Sequence, residues 1–215
     1  MRPVIAITVL PLLVAACQET SAFRPPVPTA GAQTPATTAT FSKPAVLDGK
    51  GPPSQAWIFA SNGPGGNVDV YSAKTLKMIS QCPCSGIGLA VESRSGDLAV
   101  GTKSGTVTVW HVKSKQITQF ATLNLSQGPY SVGLAFDPKG DLYAANSGDN
   151  VIDFFTSSEI HAGGGAPTRT LFTSQLNEVE YLAADAHNLL ADGYNRYDQA
   201  LLVSVNERTG NDTIL

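Results

Sequence analysis

The sequence predicts an all-β fold built from repeated four-stranded units, on three observations. The first is a repeat. Residues 86–100 read GIGLAVESRSGDLAV and residues 131–145 read SVGLAFDPKGDLYAA. Gly88-Leu89-Ala90 recurs as Gly133-Leu134-Ala135, 45 residues later, and Gly96-Asp97-Leu98 recurs as Gly140-Asp141-Leu142, 44 residues later. A period of this size, with four short strands per copy, marks the blade of a β-propeller. The second is alternation. Val68-Asp69-Val70-Tyr71, Val107-Thr108-Val109-Trp110 and Ile152-Asp153-Phe154-Phe155 each run apolar, polar, apolar, aromatic. Side chains of a strand point to opposite faces in turn, so this pattern fits a half-buried strand. The third is composition. Only 14% of the 215 residues are charged, against 20 Gly and 14 Pro, a balance that favours strands and turns over helices.

The chain opens MRPVIAITVLPLLVAACQET. One Arg, an apolar run and the small residues Ala15 and Ala16 before Cys17 read as a secretory signal over residues 1–16. The apolar run is too short for an ordinary membrane-spanning helix. Residues 17–54 are rich in Thr, Ala, Pro, Ser and Gly, and their apolar residues follow no period. Such a segment buries too little surface to offset its ordering entropy, so the reading is a disordered tether. Globular sequence follows over 55–215, long enough for one core.

Each copy in that region lays over the others. Second strands are expected at Trp57–Ala60, Leu98–Val100, Leu142–Ala145 and Asn188–Ala191. Turns rich in Gly, Asn, Asp and Ser follow them, suited to positive φ. Third strands then fall at Val68–Tyr71, Val107–Trp110, Ile152–Phe155 and Ala200–Val203, the last without alternation. Fourth strands follow at Met78-Ile79, Gln116–Phe120, Thr170–Phe172 and Thr213–Leu215. First strands are Gly88–Val91, Gly133–Phe136 and Tyr181–Ala184, and none precedes Trp57. The expectation is three full blades and one partial blade, about four in all, as a truncated product or an open arc. An open arc leaves two exposed sheet edges.

Two resemblances add to this reading. Val14-Ala15-Ala16-Cys17 resembles the bacterial lipobox, which implies diacylation of Cys17, cleavage before it and a mature chain that starts there. Gln18 in place of Asp implies the outer membrane. Two or more acyl chains make a stable anchor. GLAFDPKGDLYAANSGDNVIDFF, residues 133–155, resembles the NHL-type repeat and the related SMP-30/gluconolactonase-like and YncE-like propellers. Val107-Thr108-Val109-Trp110-His111 also looks like a WD40 strand, but His111 stands where that motif has Asp, and no Gly-His dipeptide accompanies it.

The candidate chemistry is sparse. Net charge is −3 and no basic stripe is present, which argues against nucleic acid. Cys82 and Cys84 form Cys-Pro-Cys in a chain read as exported, where a disulfide is permitted. Residues i and i+2 of an extended strand stand about 6.5–7 Å apart, so a bridge needs a turn at Pro83. His111, His161 and His187 fall at unequal repeat positions and predict no shared metal or acid–base site. Asp69 and Asp153 fall at equivalent polar positions, while Asp137, Asp141 and Asp185 fall in turns, where Asp binds local N–H groups. An SMP-30-type lactonase needs Glu, Asn and Asp from different blades around a divalent cation, and Glu92, Asn146 and Asp192 are the available types. The functional expectation is therefore a lipid-anchored envelope protein, facing the periplasm or cell exterior, whose blade loops bind a protein or small molecule without a cofactor. The alternative is a metal-dependent hydrolase of the lactonase type.

Overall fold

The computed structural model describes residues 57–63, 66–113, 116–127, 130–147 and 149–215. The signal, Cys17 and the tether expected over 1–54 lie outside the described residues. The first sheet is β1 (Trp57–Ser61), β2 (Val68–Ser72) and β3 (Met78–Cys82). The second is β4 (Gly88–Val91), β5 (Leu98–Gly101), β6 (Thr106–Lys113) and β7 (Gln116–Asn124). The third is β8 (Tyr130–Phe136), β9 (Leu142–Ser147), β10 (Val151–Phe155) and β12 (Arg169–Phe172); between β10 and β12 the chain forms helix α1 (Ser157–His161) and the short strand β11 (Gly164–Gly165), which joins the second sheet as its fifth strand. The fourth is β13 (Glu178–Ala184), β14 (Leu189–Tyr194), β15 (Ala200–Val205) and β16 (Asp212–Ile214). Apart from β11, strands pair in chain order as antiparallel meanders, the blade pattern of a β-propeller.

Alternation decides the packing. In β5, Leu98 and Val100 face the first sheet, where they join Trp57, Val68, Val70, Cys82 and Trp110. Ala99 on the same strand faces the other way and packs with Val107, Val109, Leu123, Leu134, Leu142, Ala144 and Phe155, between the second and third sheets. Tyr143 and Ala145 then face the fourth sheet, against Ile152, Leu171, Val179, Leu189, Ala191, Val203 and Val205. The cores are thus three layers between successive sheets. Among the described residues, no such layer joins the fourth sheet to the first, so the four blades form an arc.

Several elements differ from the sequence reading. Strands β7, β8 and β13 are longer than expected, because their ends pair across bulges between Val109 and Trp110, Ser131 and Leu134, and Val179 and Tyr181. In β15 the alternation missing from the residue types returns in burial: Ala200 and Leu202 are exposed, Val203 and Val205 buried. Two elements had no counterpart in the repeat. Helix α1 starts at Thr156, whose side chain accepts the Glu159 N–H while Glu159 accepts the Thr156 N–H at 2.9 Å. This is a capping box in Thr-Ser-Ser-Glu. Strand β11 then pairs in parallel with Thr122 and Leu123 of the second blade. Gly163, Gly164 and Gly165 make that approach with φ of 107°, 94° and 145°, which only glycine adopts readily.

Cys82 closes β3, and the chain turns at Pro83 so that Cys82 and Cys84 are joined by a disulfide with their Cα atoms 5.1 Å apart. Both are buried between the first and second sheets.

Candidate functional site

The loops joining first to second strands and those joining third strands to the next element lie at one end of the blades. Here the turn Asp residues cap backbone. Asp137 accepts the N–H groups of Lys139 at 2.7 Å and Asp141 at 3.0 Å. Asp141 accepts Ser157 N–H at 2.8 Å, at the start of α1. Asp185 accepts His187 and Asn188 N–H at 2.7 and 2.8 Å.

Glu92 does the same work in the second blade. Only 6% exposed, its carboxylate accepts the N–H groups of Arg94, at 3.0 Å, and Ser95. Burial alone would push its pKa up. The Ser95 hydroxyl, the two N–H groups and the Arg94 charge outweigh burial and hold it below the ordinary Glu range. A carboxylate with a depressed folded-state pKa contributes stability above its unfolded pKa, and loses it as pH falls through the folded value. Glu92→Gln is therefore expected to cost about 1–2 kcal/mol at pH 7. The difference in melting temperature from wild type should shrink steadily on titration from neutral pH to pH 3. A constant gap would show that the charge of Glu92 is not what holds the turn.

The three histidines do not converge. His111 Nδ1 lies 2.7 Å from Asp97 Oδ1, and its ring stacks on Phe120 with centroids 3.9 Å apart. His161 approaches Phe120 from α1 at 5.9 Å, and its Nδ1 is 2.7 Å from the Ser157 carbonyl oxygen. His187 lies exposed in the fourth blade. Glu92 and Asn146 lie at opposite ends of their blades, the first after β4 and the second at the far end of β9. Asp192 sits mid-strand in β14. No group of three or more His, Cys, Asp or Glu able to hold a metal occurs among the described residues. That placement gives the lactonase expectation no support.

Asp69 and Asp153 share a register position, opposite Ala60 and Ala144, but not an environment. Asp153 is fully buried and accepts Ser126 N–H and Oγ–H at 2.7 Å each and Thr170 Oγ–H at 2.9 Å. Asp69 is only half-buried and bonds Gln81 Nε2 at 2.8 Å and Tyr71 OH at 3.3 Å.

A cavity of about 820 Å³ opens at the turn end, between the third and fourth blades. Lys139, Tyr143, Arg169, Glu207 and Arg208 are among its lining residues. Its base is aromatic: the Tyr143 and Phe154 rings lie 5.0 Å apart, tilted by 49°, and the Arg169 guanidinium sits 4.5 Å from the Phe154 centroid. Cross-strand register places Arg169 opposite Phe154, so the sheet itself sets this cation–π contact. Burial, then the charges of Glu207 and Asp137, raise the Tyr143 pKa and keep the phenol protonated. The Glu207 carboxylate lies against the Tyr143 phenol, and the Arg169 guanidinium over the Phe154 ring, so both charges border the aromatic base. The sequence reading did not single out these residues. Their only signal was charge at turn positions, in Asp-Pro-Lys-Gly-Asp and Asn-Glu-Arg-Thr-Gly-Asn.

No family model matches the chain, and no curated protein does. Solved structures do. The chain is similar to the RRP9 WD40 repeats, with a TM-score of 0.58, 19% identity, and 74% of this chain covering 47% of that one. The U3-55K structure gives 0.58, 18%, 74% and 48%, and a chain of a mitotic checkpoint complex gives 0.54, 20%, 73% and 45%. The chain thus spans about half the length of these propellers. At this identity the likeness is one of fold, and the fold is a four-bladed β-propeller arc.

Proposed function

We propose that this chain is a binding module, held at a bacterial envelope by a lipid on Cys17, which grips a partner protein in the cavity between its third and fourth blades. The cavity carries the reading. It combines an aromatic base, Tyr143 and Phe154, with cationic donors, Arg169 and Arg208, and carboxylate acceptors, Asp141 and Glu207. Such a site suits a polypeptide segment, which offers carbonyl oxygens and N–H groups together. Loops on rigid sheets are where propellers present recognition residues. Lys139, Arg169 and Arg208 set against Asp137, Asp141 and Glu207 make the lining mixed in sign, which favours a polar segment over a strongly charged one.

A photo-reactive residue at Lys139 tests this in the chain's own host. A discrete protein adduct is expected, and Arg169→Ala should reduce its yield at least about tenfold, the effect of losing one charge-assisted hydrogen bond. An undiminished adduct, or none, counts against the cavity. The anchor is tested separately: Cys17→Ser should move the chain from the membrane to the soluble fraction and abolish labelling by a fatty-acid analogue. An unlabelled wild type removes the anchor from the proposal and leaves the cavity standing.

A further inference from the structure

We propose that the partner polypeptide is acidic where it leaves the cavity, its carboxylates lying over the turn end against Arg94, Lys139 and Arg208. This rests on the cavity reading and adds the partner's chemistry to it. A turn of one design recurs at this end of the blades. Its first residue carries a side-chain oxygen that accepts the backbone N–H two positions on. Glu92 accepts Arg94 N–H at 3.0 Å and Asp137 accepts Lys139 N–H at 2.7 Å. Asp185 accepts His187 N–H at 2.7 Å and Asn206 accepts Arg208 N–H at 3.0 Å. Capping of this kind fixes the backbone of a tight turn. The capped position is held by Arg, Lys, His and Arg, so the repeat sets a basic side chain at each turn tip.

Composition balances the charges of these turns, and folding separates them. The caps of the second and third blades are buried, Glu92 6% and Asp137 4% exposed, while Arg94 and Lys139 stand exposed above them. Asp185 is exposed, but its oxygens already accept the His187 N–H, the Asn188 N–H and the Asn188 side-chain amide. Glu207 lies against the Tyr143 phenol. Among the described residues none of Arg94, Lys139 and Arg208 forms an ion pair; the pair present is His111 with Asp97. The carboxylates thus have donors within the chain, and the cations have no carboxylate. A partner touching the turn tips meets positive charge at contact distance, although the chain as a whole carries −3.

The three tips follow one another across three blades. Lys139 and Arg208 line the cavity from the third and fourth blades. The turn of the second blade abuts that of the third, where a Cβ on Gly140 would stand 3.6 Å from Glu92 Cγ. Arg94 therefore continues the line that Arg208 and Lys139 begin. Inside the cavity a segment meets both signs of charge; beyond it, toward the second blade, the side chains it meets first are cations. This shape suits a polypeptide over a lipid surface, because two of the three cations line a concavity that a plane of headgroups does not enter.

Photo-crosslinking of the full chain in its own host tests this, with the photo-reactive residue at Thr209, which lines the cavity beside Arg208. A protein adduct is expected, with Asp or Glu residues flanking the crosslinked position of the partner. Arg94→Gln should lower its yield about twofold and Arg94→Glu at least about fivefold, the scale of one exposed charge pair removed or made repulsive. Arg94 does not line the cavity, so the cavity reading alone predicts no change. Lys103→Glu makes the same change of charge on an exposed residue at the opposite end of the second blade, and should leave the yield as it is. Raising salt from about 0.05 M to about 0.5 M should lower the yield of the parent chain more than that of Arg94→Gln, because screening acts on the pair that the variant lacks. Circular dichroism checks folding; if Arg94→Glu does not fold, Arg94→Gln carries the comparison. An adduct indifferent to both Arg94 variants and to salt overturns the proposal and leaves the cavity reading standing. No adduct overturns both. Pelleting of the Cys17→Ser chain with vesicles of phosphatidylglycerol in phosphatidylcholine, lost in Arg94→Glu, would assign the cations to a lipid surface and overturn it as well.

Discussion

Gly133→Val is expected to lower stability by about 3 kcal/mol, a fall in melting temperature of roughly 6–12 °C. A Cβ on Gly133 would stand 2.5 Å from the Glu180 carbonyl oxygen, 2.9 Å from Tyr181 Cα and 3.0 Å from Ala145 Cβ. Two of these atoms are backbone of β13, the first strand of the next blade. Backbone in a paired strand cannot step aside as a flexible side chain does, and valine adds two more methyl groups to the overlap. Thermal unfolding followed by circular dichroism measures the effect. A variant that melts with wild type would show that β8 and β13 do not approach as closely as the glycine permits.

Asp153→Ala is expected to cost about 2–3 kcal/mol, the upper part of the range for leaving buried neutral donors without their acceptor. Its carboxylate holds three donors: the Ser126 N–H and hydroxyl, from the segment leaving the second blade, and the Thr170 hydroxyl. Truncation strands the Ser126 N–H in a site the carboxylate had filled. Asp153→Asn keeps the shape but turns an NH2 toward donors, so it should fall between. Asp69→Ala, at the same register position in the first blade, should change stability by only about 0.5 kcal/mol, because its partners Gln81 and Tyr71 can turn to water. Chemical denaturation of the three variants checks the order. Equal losses at Asp69 and Asp153 would show that register position, and not the neighbouring blade, sets the role.

The Asp69 and Asp153 contrast marks where the sequence stops informing. Both lie in strands with the same apolar–polar alternation, and that alternation placed each strand and its faces correctly. Whether the polar position meets solvent or Ser126 depends on what lies across the blade interface, which no local pattern encodes. The turn between β2 and β3 makes the same point. The Ser72 carbonyl accepts the Leu76 N–H at 2.8 Å, as Asn206 accepts Gly210 in the fourth blade. Yet Leu76 takes φ +53° where the fourth blade has Gly210 at +77°. Residue type hid a shared turn, because the bond to Ser72 holds leucine in the left-handed region at a cost of about 1–2 kcal/mol.

The class of fold, the four-blade count, the strand order within each blade and the turn caps of Asp137 and Asp185 were legible in the residues alone. All of these rest on contacts between residues close in the chain, whose signals are period, alternation and turn chemistry; Asp141, read as a turn cap too, reaches Ser157 16 residues on. That α1 and β11 reach back to the second blade, that Arg169 lies over Phe154 beside Tyr143 and Glu207, and that Leu202 lies half-exposed where Ile152 is covered came from how the blades pack. Each of these is set by which surface an adjacent blade presents, and contacts between blades join residues tens of positions apart with no periodic trace in the sequence.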